Sequence, residues 1–193
     1  MSGTSPGQEI ACQQVLLDDS SVFSIQWSVF PVAIAARLTP ETLIKRYLDY
    51  IRRCTLTVIR PTVSPTGVHF RLFGSDRCLI SFQAPVADDR GIVLRISGGA
   101  LVQPRQCHRG ELRFTVEELE EGVKAALQLS EFCPLILGSP SPSRIRYWLY
   151  RLTQAAIHRL VTIRFLARLY RDLAGAAAPV RVVNVRLRDG RPV

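Results

Sequence analysis

Cys107 and His108 are the one place in the sequence where a thiol neighbours an imidazole. Arg105 and Arg109 flank the pair, and nearby guanidinium groups favour the nucleophilic thiolate. In a Cys–His catalytic pair the two side chains must meet, but adjacent residues of a strand point to opposite faces. We therefore expect an exposed loop with a free thiol, and an enzyme with Cys107 as nucleophile is the third interpretation of this chain.

The sequence predicts neither a metal site nor a cofactor. His69, His108 and His158 lack the spacing of metal ligands, and a hydrogen-bonded histidine is expected at each position. The five cysteines include no C-x-x-C pair, which argues against a zinc site and against a disulfide framework. Gly98-Gly99 is followed by no phosphate-binding motif, so we expect a turn or bulge there.

Three arginines in candidate strands are the predicted ligand-binding residues. Arg71, Arg77 and Arg95 lie among apolar residues, and a guanidinium there could bind an anionic group. The alternative is that all three are ordinary charges on the solvated face of a sheet.

The strongest functional signal is the distribution of charge. The formal net charge is +9, and residues 143–193 carry all of it, with 11 basic and 2 acidic residues. Such a segment suits nucleic acid or an acidic partner, with Arg146, Arg164, Arg168 and Arg171 as the candidate basic surface. Arg144 and Arg151 of the same predicted helix lie away from the face shared by Arg146, Arg164 and Arg171, so a core helix with a solvated basic rim is the other interpretation.

A long helix over residues 143–173 is the element that positions these arginines. Ser141 suits the N-cap and Pro142 the first helical position, while Gly175 and Pro179 follow the predicted end. About thirty residues span roughly 45 Å, which is longer than a small domain needs. A homodimer formed through helix 143–173 would use the extra length.

The rest of the chain predicts strands, turns and two more helices. Residues 1–20 lack periodicity and are expected to be mobile, and residues 21–193 are expected to form one domain. Thr39-Pro40-Glu41 predicts the start of a helix that ends near Cys54. Thr115 and Glu118 match a capping box, which predicts a second helix to about Phe132. The candidate strands are one from Ser21 towards Pro31, then Thr55–Arg60, Gly67–Phe73, Arg77–Gln83, Ile92–Ser97, Leu101–Gln103, Glu111–Phe114 and, at the C-terminus, residues 180–187.

These elements predict an α+β fold. The gaps between the central strands are too short for helical crossovers, so a mainly antiparallel sheet of about six to seven strands should pack against the long C-terminal helix. In its order of elements this arrangement resembles the helix-grip fold, in which a curved sheet wraps a long C-terminal helix. The resemblance implies an apolar cavity between the two.

We expect a protein that binds rather than catalyses. The chain is long enough to bury a core, and 47% of its residues are hydrophobic. It has no apolar run that could span a bilayer and no secretory signal at residues 1–14, which predicts a cytoplasmic protein. The predicted partner is a small apolar or anionic ligand, or a second protein chain. The alternative is an interaction module that uses the basic segment 143–193.

Overall fold

A computed structural model describes residues 7–104, 108–137 and 156–192. Within these ranges the chain forms eleven strands and three helices. The helices are α1 (Val32–Ala35), α2 (Pro40–Cys54) and α3 (Ala156–Ala174). The strands are β1 (Gln8–Leu16), β2 (Val22–Phe30), β3 (Ile59–Ser64), β4 (Gly67–Leu72), β5 (Cys78–Gln83), β6 (Val86–Asp88), β7 (Gly91–Gly98), β8 (Glu111–Leu119), β9 (Gly122–Phe132), β10 (Val180–Asn184) and β11 (Arg191–Pro192).

All eleven strands belong to one sheet. Nine of them follow the order β10-β1-β2-β9-β8-β7-β5-β4-β3, while β11 pairs with β1 and β6 pairs with β7. Every described pair is antiparallel except β1 and β10, which run parallel. Because β10 follows α3, that helix connects β9 to a strand at the far edge of the sheet.

The predicted sheet was too small, and its description as helix-grip-like is corrected. Within the described residues the chain has a mixed sheet of eleven strands and three helices, rather than a sheet of six to seven strands. Residues 8–16, expected to be mobile, form β1, whose backbone pairs with β2 on one side and β10 on the other. Of the predicted helix 143–173, the part before residue 156 lies outside the described residues, and α3 covers the remainder.

The predicted helix from Thr115 to Phe132 is wrong. This segment is the hairpin of β8 and β9, with Leu119 opposite Gly122 across a two-residue turn. The capping-box match is local, whereas β9 pairs with β8 on one side and β2 on the other. These backbone hydrogen bonds and the burial of most of β9 outweigh the helical propensity of Ala, Leu and Glu. Gly122 is needed at the turn because a Cβ there would lie 2.3 Å from the carbonyl oxygen of Phe30.

The predicted helix after Thr39 is confirmed as α2. The Thr39 side chain accepts a hydrogen bond from the backbone N–H of Thr42, and Pro40 is the first helical residue. Leu43, Ile44 and Tyr47 are buried on one face, as the apolar spacing of the sequence predicts.

An aromatic cluster packs the two longer helices onto the sheet. Tyr47 of α2 lies 5.4 Å from Phe114 of β8 and 5.2 Å from Phe165 of α3, measured between ring centroids. Both contacts have the edge-to-face geometry that aromatic pairs favour. The contacts of α2 are mainly with β3, β7 and β8, and those of α3 with β1 and β2. The helices thus cover different parts of the sheet.

None of the helices in the described part of the chain is long and apolar enough to cross a membrane.

Candidate functional site

An apolar cavity of about 280 Å³ lies between the sheet and the helices α2 and α3. Its walls come from both helices and from seven of the strands, so it is formed by tertiary packing rather than by one segment of chain. Most of the side chains that line it are aliphatic or aromatic. We call Ile51, Phe70 and Phe82 the apolar wall, since these side chains form one side of the cavity with no polar group.

The apolar wall is held by packing between neighbouring strands. Phe82 is 2% exposed, and its ring lies 5.6 Å from that of Phe70, edge to face. Phe70 is half-buried, and Ile157 of α3, which also lines the cavity, is 60% exposed. The cavity is therefore partly open to solvent beside Ile157.

The opposite side of the cavity is polar. Gln14 of β1 and His158 of α3 both line it, and Ser24 of β2 lies behind them and contacts the imidazole. We call Gln14, Ser24 and His158 the polar wall. Ser24 pairs in register with Gln14 on one side and with Leu129 on the other. Residues opposite one another in a sheet point to the same face, which brings the three side chains of the polar wall together.

His158 is uncharged at neutral pH. Burial lowers its pKa to about 4, because removing the imidazolium from water disfavours the charged form. The Nδ1 atom lies 3.4 Å from the Ser24 hydroxyl oxygen, which itself accepts a hydrogen bond of 2.8 Å from Nε2 of Gln26.

Gln14, which lines the cavity, carries a buried amide oxygen without a partner. The residue is 9% exposed, and its Oε1 atom has no hydrogen-bond partner among the described residues. A buried amide oxygen without a partner destabilises the folded chain by about 1–3 kcal/mol.

The other polar residues near the cavity have structural roles. Thr55 Oγ1 donates to the carbonyl oxygen of Ile51 at 2.8 Å and accepts from the N–H of Ile59 at 3.1 Å, which closes the end of α2. Burial raises the pKa of Tyr47 above the ordinary range of a phenol, so this hydroxyl stays protonated.

Further along the sheet, Gln8 joins β1 to α3. Its Nε2 donates to the carbonyl oxygen of Leu166 at 3.1 Å and to the Ser28 hydroxyl at 3.2 Å. These bonds hold α3 against the strands that carry Gln14 and Ser24.

The polar wall does not have the arrangement of a Ser–His–Asp triad. Ser24 and His158 have the composition of a nucleophile and its base, but Ser24 is fully buried and does not line the cavity. Among the described residues no carboxylate hydrogen-bonds His158, so nothing orients the imidazole as the third member of a triad would. In the same ranges no group of His, Cys, Asp or Glu side chains could hold a metal ion.

The structure places the predicted ligand-binding arginines away from the cavity. Arg71 of β4, Arg77 before β5 and Arg95 of β7 are all exposed, and none of them lines the cavity. Arg71 is opposite Cys78 and therefore near Arg77, whereas Arg95 lies towards the other end of β5. The three are not brought together as one anion site, and their role in binding stays a prediction.

The remaining predicted site residues lie on the surface or outside the described ranges. Cys107 and Arg146 are outside them, and His108 is exposed in a turn. On α3, Arg168 and Arg171 both contact Asp172, at 3.6 and 4.0 Å, while Arg164 is exposed. Part of the basic surface is therefore compensated within the helix that carries it.

A second hollow, of about 640 Å³, adjoins β1 and the C-terminal strands. Its arginines already have partners. Arg159 donates to Oδ1 of Asn184 at 2.9 Å, Arg186 pairs with Asp189 at 2.7 Å, and Arg188 lies 4.8 Å from the centre of the Phe23 ring. With its cations engaged in this way, the hollow is a weaker candidate than the apolar cavity.

Sequence analysis missed Gln14 and Ser24 and gave His158 only a general structural role. In β2, Ser24, Gln26 and Ser28 alternate with larger residues, a pattern that normally indicates a solvated polar face. Here that face is buried under α3, and all three residues are at most 1% exposed. The missed signal was that the residues on the other face of β2 are also large and apolar, namely Phe23, Ile25, Trp27 and Val29.

No protein-family model and no curated protein sequence matches the chain. Among solved structures, the chain is similar to the NMR structure of CalU16 from Micromonospora echinospora. The two sequences are 16% identical, the alignment covers 91% of this chain and 78% of CalU16, and the TM-score is 0.38. The crystal structure of CalU16 is similar at 14% identity, covering 87% and 96% of the two chains, with a TM-score of 0.33. Similarity at this level carries no argument about the fold or function of the present chain.

Proposed function

We propose that this protein binds a small, mainly apolar molecule in the cavity and catalyses no reaction on it. The observation that carries the proposal is the cavity of about 280 Å³ lined mostly by aliphatic and aromatic side chains. A cavity of about 150 Å³ accepts benzene, so this one has room for roughly twelve non-hydrogen atoms. Apolar walls with a few convergent polar groups are typical of small-molecule sites.

The cavity favours a neutral ligand over an anionic one. None of the described residues that line it is an arginine or lysine, and His158 is neutral at pH 7. An isolated carboxylate buried there would lose its hydration without gaining a counter-charge, which is strongly unfavourable.

Binding of nucleic acid or an acidic partner through residues 143–193 is the alternative proposal. It is less favoured because Arg168, Arg171 and Arg186 have acidic neighbours within the described part of the segment. A homodimer through helix 143–173 and a cytoplasmic location are compatible with either function and remain part of the proposal.

Titration with naphthalene, a neutral probe of suitable size, tests the function directly. We expect saturable binding to the purified protein, and the substitution Leu129→Phe should weaken it at least tenfold because the larger side chain occupies the cavity. Leu129 is a lining residue that is 8% exposed. Isothermal calorimetry would measure both affinities, and native mass spectrometry of the purified protein would reveal an adduct carried from the cell.

The matched control is Leu187→Phe, the same change at a side chain that is 58% exposed and outside the cavity. This variant should bind the probe as the parent protein does. Absence of naphthalene binding, or equal binding by the Leu129→Phe and parent proteins, would contradict the proposed function.

A further inference from the structure

One corner of the molecule exposes large apolar side chains. It lies where α2 ends, β3 begins and β4 ends, and the N–H of Phe73 donates there to the carbonyl oxygen of Val58 at 2.8 Å. Leu56 is 86% exposed, and Val58 and Phe73 are each more than half exposed. We call Leu56, Val58 and Phe73 the apolar tip.

The backbone at Leu56 does not explain why this residue is a leucine. At the end of α2 the N–H of Thr57 donates to the carbonyl oxygen of Arg52 at 2.8 Å. The N–H of Leu56 donates to the carbonyl oxygen of Arg53 at 3.1 Å, which completes a Schellman motif. Leu56 occupies the left-handed position of this motif, with a φ of 50°, where glycine is the usual residue and a side chain is unfavourable. Because the side chain is almost fully exposed, neither the helix end nor the core gains from it.

Two like charges face each other beside the apolar tip. Arg60 and Arg71 are directly opposite in the antiparallel pair of β3 and β4, and both are exposed. Like charges at such positions repel one another. No acidic side chain in the described ranges forms an ion pair with either arginine. The Arg60 guanidinium lies 4.1 Å from the centre of the Phe73 ring, so the charged pair adjoins the tip.

The segment that carries the apolar tip is strongly basic. Residues 52–77 contain five arginines and one acidic residue, Asp76, which gives a net charge of +4. Besides the pair in β3 and β4, Arg52 and Arg53 lie in the last turn of α2, and Arg77 directly precedes β5. All five arginines are exposed. The apolar tip is therefore set among positive charges that the same segment hardly compensates.

We propose that the apolar tip and its arginines dock the protein on a membrane whose surface carries anionic lipids. Leu56 and Phe73 enter the boundary between the headgroups and the acyl chains, while the arginines bind the anionic headgroups. Insertion removes exposed apolar surface from water, and the arginines are attracted by the negative potential of the lipid surface. The inference goes beyond the proposed function and does not rest on it.

The apolar tip favours a membrane over other acidic partners. Single-stranded nucleic acid binds by stacking its bases on aromatic rings, and the most exposed side chain of the tip, Leu56, has no ring. An extended acidic peptide would add to β3, the last strand at this end of the described sheet. Pro61 lies within β3 and has no N–H to donate to an added strand.

The apolar tip also adjoins the cavity. Thr55 and Ile59 are the chain neighbours of Leu56 and Val58, and both line the cavity. Apolar molecules concentrate in a bilayer because they leave water there. Docking at this corner therefore brings the cavity close to a store of the kind of ligand proposed for it.

Co-sedimentation of the full-length protein with lipid vesicles tests the docking. The anionic vesicles consist of phosphatidylcholine with about 30% phosphatidylserine, and the neutral vesicles consist of phosphatidylcholine alone. We expect the partition coefficient at low salt to be at least tenfold higher on the anionic vesicles. This difference should shrink as salt is added, because salt screens the attraction between arginines and headgroups.

The substitution Leu56→Gly isolates the apolar contact. Glycine suits the left-handed position, so this variant should fold with a urea midpoint no lower than that of the parent protein. Its partition coefficient on anionic vesicles should fall about tenfold, because no leucine side chain enters the lipid. The matched control is Leu187→Gly, a leucine that is 58% exposed between Arg186 and Arg188, and it should bind as the parent does.

The substitution Arg71→Glu tests the charge. It places a carboxylate opposite Arg60, which is a favourable pair across two strands, so β3 and β4 should remain paired. Its partition coefficient on anionic vesicles should fall at least tenfold. The matched control is Arg181→Glu in β10, which changes the net charge by the same amount and should weaken binding by less than about threefold.

The outcomes decide both the docking and its place on the molecule. Equal binding to the two kinds of vesicle, or anionic binding that survives either Leu56→Gly or Arg71→Glu, would overturn the inference. Equal weakening by the control variants would also overturn it, since the basic C-terminal segment would then make the contact. Binding of single-stranded DNA or polyglutamate that depends on Leu56 and Arg71 would assign the surface to that partner instead. Naphthalene binding by the two docking variants should match that of the parent, so a failure of docking leaves the proposed function standing.

Discussion

The two sides of the cavity are built on different physical principles. The apolar wall, Ile51, Phe70 and Phe82, is stabilised by removal of apolar surface from water and by edge-to-face contact between rings. The polar wall, Gln14, Ser24 and His158, buries groups that water would hydrate, and its hydrogen bonds compensate only part of that loss. The apolar wall contributes more to stability, whereas the polar wall contributes less because one of its buried polar atoms has no partner among the described residues.

The difference between the two walls shows how a cavity of this size can acquire selectivity. Apolar walls discriminate by size and shape, and one methylene group changes affinity only modestly. An unpaired buried acceptor discriminates by chemistry, because a molecule that cannot satisfy it leaves an unfavourable polar group in place. Selectivity in this protein is therefore expected to depend on Gln14 and His158 more than on the larger set of aliphatic residues.

The largest expected effect is on the apolar wall. Phe82→Ala should lower the free energy of unfolding by about 3 kcal/mol, because it removes a ring that is 2% exposed and enlarges a space that already exists. Ser24→Ala, on the polar wall, should lower it by about 1 kcal/mol, the typical contribution of one hydrogen bond. Urea denaturation of the two variants and the parent protein measures both values. Similar losses of unfolding free energy in the two variants would contradict the expectation that the apolar wall contributes more to stability than the polar wall.

The second prediction concerns the pH dependence that His158 gives to stability. Its pKa is lowered to about 4 in the folded protein, compared with about 6.5 in an unfolded chain. Between these values the unfolded state binds a proton that the folded state does not, so the free energy of unfolding falls as pH falls from about 6.5 to 4. The expected loss is about 2 kcal/mol, somewhat less than the full shift implies because the residue is only half-buried.

Urea denaturation at pH 7 and pH 4.5 measures this loss, and the substitution His158→Leu should remove most of it. The salt bridge of Asp19 with Arg109 does not interfere in this range. Desolvation raises the pKa of Asp19, but hydrogen bonds from Ser21 and Arg109 outweigh it and lower the pKa to about 2, so the contribution of this carboxylate is lost only in stronger acid. The matched control is His69→Gln in β4, which should keep the loss. An unchanged pH dependence in His158→Leu would show that the buried imidazole is not its source.

The smallest expected effect has the opposite sign. Gln14→Leu should raise the free energy of unfolding of the ligand-free protein by about 1 kcal/mol, because it replaces an unpaired buried amide oxygen with apolar surface. Gln128→Leu should change it by less than about 0.5 kcal/mol. Urea denaturation without added probe measures both variants. A loss of stability in Gln14→Leu would mean that the amide is satisfied in the folded protein, and the polar wall would lose its main distinguishing feature.

Local signals in the sequence predicted elements well where neighbouring residues decide the structure. The N-cap at Thr39 and the following apolar spacing led to α2 with correct ends, and the turn residues around β4 and β5 predicted those strands within one residue. The hairpin of β8 and β9 was mistaken for a helix because a capping box and a high helical propensity are also local signals. Pairing with β2, which lies about 100 residues earlier in the chain, decided the outcome there.

The candidate site could not be predicted in the same way. Arg71, Arg77 and Arg95 were selected because charge within an apolar strand stands out in a sequence, but all three are exposed. Gln14 lies in a segment without periodicity. Ser24 alternates with apolar residues in β2, a pattern that is typical of a strand with one solvated face. Gln14 does not differ locally from an ordinary surface polar residue, and the one local sign at Ser24 was that the residues alternating with it are large and apolar.

By itself, the sequence determined the amphipathic helix α2, the positions of most central strands and the concentration of positive charge after residue 143, because these depend on residue type and on short spacings. The tertiary structure alone decided that β1 and β10 enlarge the sheet and that α3 covers the polar face of β2. It also decided that Gln14, Ser24 and His158 meet at one cavity. Residues as far apart as positions 14 and 158 come together through strand register and helix packing, and those depend on contacts between distant segments that no local pattern encodes.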